Sequence, residues 1–143
     1  MVKEFDGNVI LTRDSHQSDY LETQEGKFLP VKHCISCSDG WNFIEPLEAM
    51  QMKSHFPIYV KETFGSVNLA VDLRAEHIKQ EIESIEMIGV CTDICVISNA
   101  LLLKAYLPEV PIIVHANGCA GVTPKKHEAA LEVMRSCQII VKG

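Results

Sequence analysis

The residues Gly89-Val90-Cys91-Thr92-Asp93-Ile94-Cys95-Val96 follow a short apolar run, Ile85 to Val90, and lead into a second apolar stretch, Cys95 to Tyr106. A strand followed at once by a helix puts Cys95 at a helix amino terminus. There, unpaired backbone N–H groups and the helix dipole lower a thiol pKa and can hold a developing oxyanion. That is the environment of a nucleophilic cysteine attacking a carbonyl carbon. Spacing alone leaves a second reading open, because cysteine is among the most buried residue types and usually packs rather than reacts. Cys34 and Cys37 form a single C-x-x-C pair, a pattern that can bind metal or cycle between thiol and disulfide but is more often structural when it stands alone.

The run around Cys95 closely resembles Gly-Val-x-Thr-Asp-x-Cys-Val, the signature of nicotinamidases and isochorismatase-like hydrolases, and every fixed position is matched. The resemblance implies that Cys95 attacks the amide carbonyl of a small carboxamide and forms a thioester acyl-enzyme. It implies a non-proline cis peptide between Val90 and Cys91, with the backbone N–H groups of Cys91 and Cys95 forming the oxyanion hole and with Thr92 and Asp93 shaping the turn. Lys61, in Lys61-Glu62-Thr63-Phe64-Gly65-Ser66, matches the family's Lys-x-x-Phe/Tyr-x-Ser pattern. The resemblance makes it the cation that depresses the cysteine pKa and stabilises negative charge on the substrate.

The family also holds a divalent metal with an Asp-x-His pair and a later histidine, matched here by Asp14-Ser15-His16 and His33. Imidazole and carboxylate ligands suit zinc, iron or manganese. The additional histidine that nicotinamidases supply between these two elements is absent, and Asp19 and Tyr20 occupy that neighbourhood. The run Leu29 to Trp41 resembles the family's Pro-x-x-x-His-Cys-x-x-Gly-x-x-Gly stretch, with Cys37 standing where glycine is commoner. His55, His77, His115 and His127 are expected on surfaces or at a strand end, and Cys119 and Cys137 in the core.

Members of the family normally begin with a further strand, which ends in the aspartate of an Asp-x-Gln pattern and supplies the general base. The resemblance runs from about Asn8 onward, so the expectation is a chain that starts beyond that strand and leaves sheet edges unpaired. Asp6 precedes the first strand and is not given the role. The resulting expectation is a cysteine hydrolase acting on the C–N bond of a small carboxamide. The alternative is a catalytically impaired family member serving as a binding or assembly subunit, and a third reading is a metal or redox module built on His33, Cys34 and Cys37.

These residues need a scaffold. Five short runs read as buried strands: Asn8 to Thr12, Pro57 to Lys61, Ile85 to Val90, Val110 to His115 and Cys137 to Lys142. Helical patterns fall at about Val71 to Ile82, with Leu73, Ile78 and Ile82 on one face, and at Pro124 to Met134 after Thr123. Cys95 to Tyr106 is apolar nearly all round, as expected of a helix packed on a sheet and covered outside, with another subunit as a candidate cover. Arg13 to Met52 shows no sustained period and reads as a long functional loop. Alternating strands and helices predict an α/β fold, a three-layer α-β-α arrangement on a parallel sheet of the isochorismatase-like, Rossmann-like kind, with sites at the carboxyl ends of strands.

The bulk properties are consistent with one domain over residues 1–143, since 47% hydrophobic composition can form a sizeable core. A net charge of −6, with 13 Lys and Arg and no basic run, argues against nucleic acid as a partner. No apolar run approaches a membrane span, and the polar start lacks the look of a signal peptide. The expectation is a cytoplasmic homo-oligomer that keeps its six cysteines as thiols and acts on a small molecule.

Overall fold

The computed structural model describes residues 2–143 and divides them into two compact units, residues 2–63 and residues 64–143. In the first unit, β1 (Leu11–Asp14) and β2 (Ile58–Lys61) pair in parallel, with Leu11 opposite Ile58 and Asp14 opposite Lys61. The segment between them holds two helices, α1 (Gln24–Phe28) and α2 (Glu45–Ser54). The expectation of a loop without regular structure from Arg13 to Met52 is therefore corrected. None of the residues of α2 is buried, so the apolar spacing that announces a packed helix is missing from it. Its start signals are local instead: Pro46 in the first turn, with Glu45 and Glu48 beside the positive end of the dipole.

β1 begins and ends later than the apolar run Asn8 to Thr12, because two polar residues are drawn into it by distant partners. Arg13 lays its guanidinium 3.5 Å from the Trp41 ring centroid, with Phe43 at 5.3 Å, a cation–π arrangement. Asp14 is paired with Lys61. Polar residues with partners far along the chain are invisible to a local hydropathy reading.

In the second unit, β3 (Ile85–Val90), β4 (Ile112–Ala120) and β5 (Ile140–Lys142) form a parallel sheet in the order β3-β4-β5. The core lies between this sheet and the helices α3 (Val67–Lys79), α4 (Ile97–Tyr106) and α5 (Pro124–Ser136). Ile112, Val114 and Ala116 of β4 meet Ala100 and Leu103 of α4 and Ala130, Leu131 and Met134 of α5 there. Burying each of the larger side chains among them, such as Val114 and Met134, contributes on the order of 2 kcal/mol. β4 extends past the apolar run through Asn117 and Gly118, with a register shift between Met87 and Gly89 of β3.

α3 starts earlier than its apolar pattern indicated, because Ser66 caps it by accepting a hydrogen bond from the Leu69 N–H. Its buried face is Leu69, Ala70 and Leu73, while Ile78 is 78% exposed rather than sharing the Leu73 face. Ile78 is five positions beyond Leu73, which puts them well apart around a helix. α5 starts as expected, with Thr123 accepting from the Lys126 N–H. The apolar α4 has no large hydrophobic side chain counted as exposed; α3 packs along it and the Phe64–Ser66 turn lies on it, so this unit supplies part of the cover itself. No helix among the described residues is long and apolar enough to cross a membrane.

Candidate active site and metal centre

Within the first unit, the strand ends gather four potential ligands. Asp14 closes β1, and His16 follows it into a bridge with Ile35, held by the His16 N–H on the Cys34 carbonyl and the Ser36 N–H on the His16 carbonyl. That bridge brings His33 to the same place. Asp14, His16 and His33, the metal set expected from the sequence, have ligand atoms within 4.8 Å of one another.

A fourth group joins them that the sequence reading missed. Glu25 Oε1 lies 3.5 Å from His16 Nε2 and 3.7 Å from His33 Nε2, while Asp14 Oδ2 lies 3.5 Å and 3.9 Å from the same two nitrogens. Tetrahedral ligands about 2.1 Å from a metal stand about 3.4 Å apart, so these spacings fit one cation at the centre. Two of the ligand atoms, His16 Nε2 and Glu25 Oε1, are buried and make no hydrogen bond, an arrangement that a bound cation would satisfy. The residues therefore fit a divalent metal. His33 Nδ1 donates to the Val31 carbonyl at 2.8 Å, which leaves the Nε2 lone pair directed at the cluster.

Glu25 is positioned by α1. Thr23 caps that helix through the Gly26 N–H, and a Cβ at residue 26 would come within 2.0 Å of the Tyr20 carbonyl oxygen, so only glycine permits this close approach. Tyr20 is fully buried, its ring 4.7 Å from that of His16 and 5.0 Å from that of His33, and its hydroxyl donates to the Leu29 carbonyl. Burial pushes the Tyr20 phenol above its ordinary pKa, with the Glu25 carboxylate adding to the effect. A lone glutamate in a short polar helix carries no local signal of ligation, and only the chain path reveals it. Lys61 is buried at the end of β2, with its ammonium 3.2 Å from Asp14 Oδ1.

Cys37 has φ of +63°, which explains why a glycine would be at ease in its place, and Cys34 also has positive φ at +46°. Both cysteines are thiols. Just past the end of β1, the Trp41 indole N–H donates to Ser15 Oγ at 3.0 Å and so ties the Trp41 segment to the end of the strand.

The second unit holds Cys95, the candidate nucleophile. The peptide joining Val90 to Cys91 is cis. A π turn, Thr92–Val96, precedes α4, so Cys95 lies in the first helical turn after β3. The Cys91 carbonyl accepts from both the Ile94 and the Val96 N–H groups. Burial raises the Cys91 thiol pKa, and Asp93 raises it further.

This turn is also braced by α5 and by the loop that leads into it. The Asp93 carboxylate accepts from the Val122 N–H at 2.9 Å, and the buried Thr92 hydroxyl meets His127 Nδ1 at 2.8 Å. His127, expected on a surface without a role, is thus a brace for the signature turn. A Cβ at Gly121 would lie 2.8 Å from Asp93 Oδ1 and 2.9 Å from His127 Cα, so the loop can close on the turn only with glycine there.

An isochorismatase domain model matches residues 1–142. An uncharacterized isochorismatase family protein, PncA, of Bacillus subtilis strain 168 is 31% identical over 137 residues, covering 92% of this chain and 73% of that protein. Among solved structures, the nicotinamidase PncA from Bacillus subtilis superposes with a TM-score of 0.77 at 26% identity, covering 99% of this chain and 77% of the other. The pyrazinamidase of Pyrococcus horikoshii, solved in complex with zinc, superposes at 0.75 with 23% identity, covering 94% and 74%. With parallel strands, flanking helices and these neighbours, the fold is three-layer α/β, and the chain belongs to the isochorismatase family.

Proposed function

We propose that this protein is a cysteine hydrolase that cleaves the C–N bond of a small carboxamide through a thioester acyl-enzyme. The observation that carries this reading is the setting of Cys95, in the first helical turn after a strand and braced by Thr92, Asp93, Gly121 and His127. Helix-start geometry favours the thiolate and can direct backbone N–H groups at a carbonyl oxygen. Cys95 is the nucleophile, the N–H groups of Cys91 and Cys95 form the oxyanion hole, and Lys61 is the cation that stabilises negative charge on thiolate and substrate. The similarity to the Bacillus subtilis nicotinamidase supports the carboxamide class.

Asp14, His16, Glu25 and His33 would hold a divalent cation, and zinc is the metal present in the Pyrococcus horikoshii pyrazinamidase. Such a cation supplies Lewis-acid binding of a substrate heteroatom. Asp14 would serve two partners, one oxygen facing the cluster and the other holding Lys61 in place.

Collapse of the tetrahedral intermediate requires a proton for the departing ammonia, and the family's Asp-x-Gln pattern does not occur in these 143 residues. Ammonia release from nicotinamide and a panel of small carboxamides, compared with a Cys95→Ala variant, tests the proposal. Release that disappears in the variant supports it. Silence across the panel favours the second reading, a family member that acts as a binding or assembly subunit. Exposed Val67, Val71 and Ile78 on α3 support a homo-oligomer, and a monomer in sedimentation counts against one. Six thiols without a disulfide suit a cytoplasmic setting.

A further inference from the structure

Asn99 lies about one helical turn beyond Cys95, and its side chain is buried. A carboxamide offers one acceptor oxygen and two donor hydrogens. Here both ends are used: Oδ1 accepts from the Ser66 N–H at 2.8 Å, and Nδ2 donates to the Cys95 carbonyl at 2.8 Å and to the Phe64 carbonyl at 3.1 Å. Turning the amide over would aim its oxygen at two carbonyls and its NH2 at an N–H, so a single orientation is compatible with these partners.

The helix ladder alone does not account for this arrangement. The π turn Thr92–Val96 offsets the regular pattern, and the Cys91 carbonyl takes two N–H groups while the Cys95 carbonyl receives a side chain. The same amide reaches the Phe64–Ser66 turn, which lies against α4: a Cβ on Gly65 would sit 3.4 Å from the Ser98 carbonyl oxygen. Ser66 in turn caps α3. One buried side chain thus fastens the peptide of Cys95 to the start of another helix.

We propose that Asn99 is a positioning residue that orients the Cys95 thiol by holding its carbonyl against the Phe64–Ser66 turn. This rests on Cys95 being the nucleophile. Asn99 acts through Cys95 and has no role in binding substrate. A tether with only a structural role would change stability and leave the chemistry of Cys95 alone, so the test must read the thiol itself.

The test compares Asn99→Thr with Asn99→Val, which share a shape and differ by one hydroxyl. A threonine hydroxyl can bond the carbonyl four residues back, which is that of Cys95, and valine cannot. The rate of Cys95 alkylation by iodoacetamide is measured across neutral to alkaline pH by peptide mass spectrometry, with circular dichroism confirming the fold. The expected result is an Asn99→Val rate about tenfold below the parent, the size of about one net hydrogen bond, with a displaced pH profile that Asn99→Thr restores most of the way. Two folded variants with the parent's rate and profile overturn the proposal. If either fails to fold, the Asn99 side-chain amide resonance of the parent is followed on alkylation of Cys95; a shift supports the proposal and an unmoved signal overturns it. A parent Cys95 no faster than free cysteine defeats the nucleophile reading itself, whereas a fast Cys95 indifferent to the Thr/Val change defeats only the role of Asn99.

Discussion

Asp14 and Lys61 are register partners at the ends of two parallel strands, and their side chains meet at 3.2 Å between Oδ1 and Nζ. The other oxygen of Asp14 faces His16 and His33, so one carboxylate links the buried ammonium to the ligand cluster. Asp14→Asn keeps the shape and removes the charge beside a cation that is almost entirely buried. The expected cost is about 3 kcal/mol of stability, read by chemical denaturation, and a variant as stable as the parent would show that the pair contributes little.

Glu25 would be the fourth ligand of the proposed metal site, and its Oε1 has no hydrogen bond to lose. Glu25→Ala is expected to weaken zinc binding by at least about tenfold in isothermal titration while leaving the fold intact, because a ligand matters no less than the outer groups whose loss costs that much. Equal affinity in parent and variant would remove Glu25 from the ligand set.

Gly121→Ala places a methyl group 2.8 Å from Asp93 Oδ1 and 2.9 Å from His127 Cα, both parts of the brace on the signature turn. An overpacked contact of this kind costs about 1–3 kcal/mol. Thermal unfolding should show the loss, and ammonia release should fall with it as the turn is displaced.

Labelling should separate the two cysteines of the signature. Burial and the Asp93 carboxylate raise the Cys91 thiol pKa, which favours its protonated, less reactive form. Its alkylation is expected to begin only above the ordinary thiol range, well after Cys95 is consumed. The linkage has a definite sign: a raised folded-state pKa stabilises the fold below the unfolded pKa, and that contribution is lost as pH rises through the folded value. Cys119, raised chiefly by burial, follows the same rule. Equal labelling of Cys91 and Cys95 at neutral pH would count against this assignment.

The order of strands and helices was legible in the sequence because β3, β4 and α5 carry their own apolar period and their own caps, and a helix start such as Thr123-Pro124 needs no distant partner. The Cys95 turn, Lys61 and the Asp14, His16 and His33 set could be picked out as candidates because they match short motifs of the family; spacing alone left them open. What local pattern could not reveal was anything set by a partner far along the chain. Glu25 became a ligand candidate only when α1 folded back beside the end of β1, and His127 and Gly121 became braces only when the loop after β4 closed on Thr92 and Asp93. α2 lacked a signal for the opposite reason, since it buries no face. The family, the nucleophile candidate and the alternation of elements could be read from residue order alone, because each is written in local pattern. The fourth ligand candidate, the bracing of the signature turn and the clamp at Asn99 emerged only in three dimensions, because they rest on distances between residues far apart in the chain.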